Sequence, residues 1–208
     1  MARAHVASAA REAPARTVIN APLFRNLVED FENHPDTRHV VLDLGPARPE
    51  TVALFGRFRC RLEIADFAED LDGINGLEEP DELDDRLHTL LPPQHAEAAD
   101  LVLCWDLLNY LERPALKALM HALQERLAPG ARLHALIVYA SDRMPAHPAR
   151  IVPCDGGLEH DVSGDPAARP APRYTPDELA RLASGFAVER AMLLRNGMQE
   201  FLFNRRSG

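Results

Sequence analysis

The segment 39–58 constrains the fold most, because it predicts a strand, a tight turn and a helix in immediate succession. An apolar run at 40–42 ends in Asp43 and Gly45. Apolar residues with helical spacing follow at 50–58. A buried strand joined to a helix by a short turn is the repeating unit of a parallel α/β sheet, and ligands bind at such turns.

Strands and helices alternate along the rest of the chain. Apolar runs predict strands at 59–67, 99–105, 131–140, 186–194 and 199–204, and helical spacing predicts helices at 21–31, 113–127 and from Thr175 onward. The acidic segment 69–91 fits a helix, or a helix that leads into a short strand. Asn196 and Gly197 mark a hairpin turn between the last two strands. The pattern predicts an α/β three-layer sandwich with a mostly parallel sheet and one antiparallel strand from the C-terminal hairpin.

Length and composition favour one domain at 18–208, behind a flexible N-terminal tail at 1–17. The chain has 208 residues, of which 46% are hydrophobic, enough to form a substantial core. The segment 141–173 is rich in Pro, Gly, Asp and Arg, and this composition predicts a long loop. A lid over a binding site is one interpretation of that loop.

Charge and cysteine content narrow the range of partners. The formal net charge is −9, which argues against nucleic-acid binding through phosphates. No apolar run is long enough to span a bilayer. The three cysteines are widely spaced, as in proteins of a reducing compartment, so we expect a cytoplasmic location. A small molecule is the expected partner, with a protein partner as the alternative.

Four segments resemble motifs of one enzyme family. Residues 41–45 are similar to its first motif, an apolar strand followed by acid-x-Gly-x-Gly-x-Gly, and Asp66 ends the next strand. Residues 99–111 resemble its fourth-strand motif, and residues 127–133 the turn before its fifth strand. The family is the class I S-adenosylmethionine-dependent methyltransferases, and the likeness covers about residues 38 to 204. It implies a Rossmann-like fold, S-adenosylmethionine as cofactor and a small-molecule methyl acceptor.

The resemblance implies that five residues line the cofactor site: Asp43, Gly45, Ala47, Asp66 and Trp105. Asp43 would orient the methionine end of the cofactor, or instead cap the amides of its own turn. Asp66 would accept hydrogen bonds from both ribose hydroxyls, or instead be a solvated acid at a strand end. Trp105 would pack on the ligand, or instead in the core.

The first motif departs from the family pattern. Gly45 keeps the first glycine, but Ala47 replaces the second and Pro49 the third. Pro49 lacks an N–H donor, although proline also starts a helix well. The acid after the family's third strand is missing as well, since Leu87 and His88 stand at that place. Two hypotheses therefore remain: an active methyltransferase, and a non-catalytic methyltransferase-like domain that binds a protein partner.

No catalytic residue is assigned by the sequence, because methyl transfer depends mainly on aligning the acceptor with an activated methyl group. The candidates are Asp106 and Tyr110. Asp106 would bind the acceptor or act as a base, or instead cap the next helical turn. Tyr110 would border the pocket, or instead pack in the core.

The segment 141–173 and the residue after it carry the remaining candidates. Metal-ligand types occur at His147, Cys154, Asp155, His160 and Asp161, but their spacing lacks the short paired intervals of structural zinc sites, so no metal is predicted. Three further residues fit either contact with an acidic acceptor or simple solvent exposure: Arg169, Arg173 and Tyr174.

Overall fold

A computed structural model describes residues 16–93, 97–162 and 167–206. The helices are α1 (Pro22–Asn33), α2 (Pro49–Phe55), α3 (Leu71–Asn75), α4 (Pro80–Leu90), α5 (Arg113–Gln124) and α6 (Pro176–Leu182). The strands are β1 (Arg16–Ile19), β2 (His39–Asp43), β3 (Cys60–Ile64), β4 (Ala99–Leu103), β5 (Leu127–Val138), β6 (Arg143–Pro145), β7 (Arg150–Cys154), β8 (Gly157–Asp161), β9 (Ala168–Pro170), β10 (Phe186–Leu193) and β11 (Met198–Arg205).

The main sheet has six strands in the order β10-β11-β5-β4-β2-β3. The pairs β2–β3, β2–β4 and β4–β5 are parallel, whereas β11 runs antiparallel to both neighbours. Helices α1 and α2 contribute to the core on one face, and α3 to α6 contribute to the core on the other. The α/β class, the three layers, the mostly parallel sheet and the antiparallel hairpin strand are therefore confirmed.

The register of the central strands brings the candidate residues to one edge of the sheet. Asp43 pairs with Ile64 of β3 and with Leu103 of β4. Asp66 follows Ile64 by two residues, and Trp105 follows Leu103 by two. Parallel strands end at the same edge, so the sheet places Asp43, Asp66 and Trp105 side by side.

The segment 141–173, predicted to be a long loop, instead contains β6 to β9. Strands β7 and β8 form a hairpin, and β8 also pairs with β1, which gives a separate three-stranded sheet. The loop prediction failed because the stabilising partner, β1, lies about 140 residues earlier in the chain, and composition carries no signal of such pairing.

The other element boundaries shift by a few residues. Arg16 and Thr17, predicted in the tail, belong to β1, while residues 1–15 lie outside the described part of the chain. Strand β5 begins at Leu127 and so includes the predicted turn, where Gly130 has a φ of 77°. Helices α3 and α4 together account for most of the ambiguous acidic segment, and residues 91–93 and 97–98 form no strand.

A buried carboxylate on β11 holds the start of α1. Glu200 is fully buried and accepts hydrogen bonds from the backbone N–H groups of Leu23 at 3.0 Å and Phe24 at 2.7 Å. Nε2 of His134, on β5, lies 2.8 Å from its Oε1. Helix α1 has no side-chain cap of its own, so Glu200 supplies the acceptors that its first amides need.

Replacing Glu200 with Ala should destabilise the fold by about 3 kcal/mol or more, because two helix amides and His134 would lose their buried partner. Urea denaturation at neutral pH measures this loss. The matched control is Glu189→Ala, which removes an exposed acid from β10 and should cost less than about 0.5 kcal/mol. Equal losses in both variants would contradict the role given to Glu200.

Candidate functional site

The turn after β2 is held by the Asp43 side chain. Asp43 is 1% exposed, and its Oδ1 accepts hydrogen bonds from the Gly45 N–H at 2.9 Å and from Trp105 Nε1 at 2.6 Å. Its Oδ2 is buried and has no hydrogen-bond partner among the described residues. Asp43 therefore caps its own turn, as one of the two sequence interpretations expected, and keeps one acceptor free.

Burial changes the acidity of Asp43. Loss of hydration raises the pKa of its carboxyl from 3.8 to about 6, and the hydrogen bonds from Gly45 and Trp105 offset part of that rise. The negative charge of Asp66 raises the pKa further, whereas Arg48 lowers it. Asp43 is thus a buried acid that titrates close to neutral pH at a sheet edge, an environment common in functional sites.

Trp105 fills the space in front of Gly45. A Cβ atom added to Gly45 would lie 2.8 Å from Trp105 Cδ1 and 3.1 Å from its Nε1. The backbone of Trp105 has a φ of 48°, in the left-handed region that bulky residues rarely adopt. Its carbonyl accepts a hydrogen bond from the Leu136 N–H at 2.7 Å, which holds this conformation. Trp105 therefore packs on the turn itself, with 6% of its surface exposed.

The segment 146–161, here called the cap, covers the same edge of the sheet. The Ala149 N–H donates to Asp106 Oδ2 at 3.0 Å. Arg150 forms ion pairs with Glu50, in the first turn of α2, and with Glu159 on β8 at 2.9 Å. The cap is thereby tied both to the loop after β4 and to the helix after β2.

Among the described residues, a small cavity lies between the cap and the turn. Its volume is about 20 Å³, enough for about one water molecule. Its walls come from the turn after β2, the loop after β4 and the cap, and they include Gly45, Arg48, Trp105, Asp106, Ala149 and Ile151. At this place Trp105 and the cap leave little room between β2 and β4, and we call it the closed groove.

Asp66 lies beyond the end of β3, at the same edge. It is half-buried, and its Oδ1 accepts a hydrogen bond from the Ala68 N–H at 3.1 Å. Pro49 begins α2, as expected for a proline in the first helical turn. Ala47 is exposed in the turn before it. The altered glycine turn therefore still connects β2 to a helix.

The two catalytic candidates lie in different environments. Asp106 is 4% exposed, and burial raises the pKa of its carboxyl to about 7. It makes no side-chain cap to the next helical turn, so the capping interpretation was wrong. Tyr110 is 2% exposed, packs in the core on the α5 face and does not line the closed groove. Of the two, the structure brings only Asp106 to the groove.

The other candidate residues do not assemble into a site at the groove. Asp161, one of the metal-ligand types, pairs instead with Arg16 at 2.8 Å. Within the described ranges, no three His, Cys, Asp or Glu residues are grouped so as to hold a metal ion. None of the described helices is long and apolar enough to cross a bilayer.

Comparison with solved structures identifies the fold. The glycopeptide N-methyltransferase MtfA, solved with sinefungin, superposes with a TM-score of 0.50 and 15% identity over 92% of this chain and 88% of its own. The chain has the class I methyltransferase fold. At this identity the likeness to MtfA establishes the architecture alone.

Two further methyltransferases superpose less closely on this fold. Magnesium protoporphyrin IX methyltransferase from Synechocystis PCC 6803 gives a TM-score of 0.48 with 12% identity, over 88% of this chain and 78% of its own. The 1,6-didemethyltoxoflavin N1-methyltransferase of Burkholderia thailandensis gives 0.45 with 18% identity, over 90% and 80%. No family model and no curated relative matches the sequence.

Sequence reasoning missed the residues that close the groove. Arg150 and Glu50 are 100 residues apart, and neither belongs to a local motif. Ala149 binds Asp106 through its backbone N–H, and a backbone contact of this kind cannot be recognised from the residue type. The segment 141–173 was unusually long for a connection between two elements. Its length was the one sign in the sequence that this segment covers the groove.

The buried carboxyl of Asp106 should make stability fall as pH rises. Its pKa is 3.8 when unperturbed and about 7 in the fold, so between these values the unfolded chain loses a proton that the folded chain keeps. The free energy of unfolding should therefore decrease from pH 4 to pH 7. Asp106→Asn should remove part of this decrease, measured by urea denaturation across that range. Asp142→Asn is the control for the loss of an exposed acid. If the free energy of unfolding depends on pH in Asp106→Asn as it does in the wild type, the raised pKa given to Asp106 is wrong.

The contact between Gly45 and Trp105 predicts a coupled pair of substitutions. Gly45→Ala should destabilise the fold by about 1–3 kcal/mol, because the new methyl group overlaps the indole. In a Trp105→Ala background the same change should cost much less, since the overlapping atoms are gone. A double-mutant cycle measured by urea denaturation gives the coupling energy, and additive losses would show that the indole does not pack on Gly45.

Proposed function

We propose that the chain is an S-adenosylmethionine-dependent methyltransferase that acts on a small-molecule acceptor. The observation that carries the proposal is the buried Asp43 with its free Oδ2, next to Asp66 at the end of the neighbouring strand. In a class I methyltransferase fold, that edge is the place where the cofactor is expected. When bound, S-adenosylmethionine supplies a methyl group that its sulfonium already activates.

The donor set fits such a cofactor, and the available space requires a change of conformation. Asp66 would accept hydrogen bonds from the ribose hydroxyls, and Asp43 would offer Oδ2 to the amino group of the methionine part. Gly45 would allow close approach of the backbone, with Ala47 beside it. A cavity of about 20 Å³ cannot hold the cofactor, so Trp105 and the cap must move aside before it enters.

The cap would then protect the reaction from water. Opening breaks the Arg150–Glu50 ion pair and the bond from the Ala149 N–H to Asp106. Both contacts are part-buried, and each can reform once a ligand is inside. Closure of a segment over a bound substrate expels water and holds the reactants in line.

Asp106 is the group that would handle a proton. It is buried beside Trp105, and a carboxyl with a pKa of about 7 can accept a proton from an acceptor hydroxyl or amine near neutral pH. The same carboxylate would also orient the acceptor. Tyr110 is excluded from direct contact in the described conformation, since it does not reach the groove.

A second candidate is a non-catalytic domain that binds a protein partner. The observation that favours it is the closed groove, in which Trp105 fills the space in front of Gly45. Ala47 and Pro49, in place of two glycines, point the same way. On this hypothesis the Trp105–Asp43 contact is permanent, and the groove has become part of the core.

Titration with S-adenosylmethionine and S-adenosylhomocysteine separates the two candidates. A ligand that binds only the folded state must stabilise it, by about 2.7 kcal/mol at a hundredfold excess over Kd. Trp105 is the only tryptophan, so its fluorescence should change as the indole leaves Asp43 and Gly45. Thermal melts and fluorescence titration measure the two effects.

Asp66→Ala should weaken binding by about tenfold or more, because both ribose bonds would be lost. Asp36→Ala, an exposed acid in the loop before β2 at the opposite edge of the sheet, should leave binding unchanged. If neither ligand binds to the folded wild-type protein at millimolar concentration, the enzyme proposal is wrong and the second candidate stands.

A further inference from the structure

A second cavity, of about 290 Å³, lies next to the loop after β4 and shares no residue with the closed groove. It is close to the lower end of the size range of ligand pockets, about 300–1,000 Å³. The start of α5 and the chain around β9 provide its walls, which include Leu111, Arg113, Pro114, Arg169, Pro172 and Tyr174.

Arg169 brings a positive charge to this cavity. Its guanidinium lies over the ring of Tyr110, 5.9 Å from the centroid, and the side chain is half-buried. No carboxylate pairs with Arg169 among the residues that the structure describes. A guanidinium above an aromatic ring still has N–H groups with which a carboxylate can pair in bidentate fashion.

A second guanidinium approaches from α5. Arg113 lies over the ring of Tyr174, 5.5 Å from the centroid, and donates through Nε to Glu178 at 2.6 Å. That bond uses one edge of the guanidinium. Glu112 also lines the cavity, but its side chain is exposed and water screens its charge.

Part of the remaining wall is apolar, while Asn109 and Glu112 contribute polar groups. Leu111, Pro114 and Pro172 present carbon surfaces, and Tyr174 adds its ring. The Tyr174 hydroxyl donates to the carbonyl of Leu111 at 3.0 Å, so its polar end is already satisfied and only the ring is left to a ligand. Rigid proline and tyrosine surfaces lose little conformational entropy when they pack on a ligand.

We infer that this cavity binds a small carboxylate with an apolar body, with Arg169 holding the carboxylate and the proline and tyrosine walls packing on the body. The inference goes beyond the proposed function and does not depend on it, because no part of the closed groove contributes. Arg169 is the binding residue here, because Arg113 is already paired with Glu178.

Benzoate and benzamide are matched probes, since they have the same ring and differ in charge. In a titration of the isotope-labelled protein followed by amide chemical shifts, benzoate should shift the signals of Leu111 and Ala171. Benzamide should bind at least about tenfold more weakly, because it lacks the charge that pairs with Arg169. No methyl donor is present, so a failure here leaves the proposed function untouched.

Arg169→Gln should weaken benzoate binding by about tenfold or more, in a protein whose circular dichroism is unchanged. Arg181→Gln removes an exposed arginine from α6, outside the cavity wall, and should leave the affinity unchanged. Three results would overturn the inference: no benzoate binding to the folded wild type, equal affinity for benzamide, or full affinity in Arg169→Gln.

Discussion

The bond network of Glu200 is the interaction on which the rest of the structure depends. Its carboxylate joins β11 to the first turn of α1 and to His134 on β5. Strand β1 ends only three residues before α1 begins, so fixing the start of α1 also fixes β1. β1 pairs with β8, and β8 with β7, which carries Arg150 to α2. The closed groove is thus anchored, through this chain of contacts, on one buried acid.

The main sheet could be predicted from the sequence because its signals are local. Buried parallel strands appear as continuous apolar runs, and each helix has its own spacing and start signal, such as Thr175, whose hydroxyl accepts from the Glu178 N–H. Glu200 and His134 also left a trace, since each is a polar residue inside an apolar strand. Their pairing remained hidden, because sequence spacing does not reveal which strands are neighbours in the sheet.

The candidate site was predictable only in part. The positions of Asp43, Asp66 and Trp105 follow from the rule that parallel strands end at one edge, and the structure places them there. The contacts that these three side chains make cannot be predicted from that rule. The indole packs on Gly45 and binds Asp43, and the cap reaches Asp106 through a backbone amide, so both depend on tertiary contacts between distant segments.

The loop after β4 determines which parts of the groove can move. Asn109 is 2% exposed and makes three hydrogen bonds: it donates to the carbonyls of Asp106 and Leu136, and its Oδ1 accepts from the Val138 N–H. These bonds fix the backbone between the groove and the second cavity to β5. Opening would therefore come from the Trp105 side chain and the cap, whose contacts at Arg150 and Ala149 are part-buried and whose Ile151 and Leu158 pack in the core. The two cavities thus lie on either side of a segment that is fixed to β5, although they have no lining residue in common.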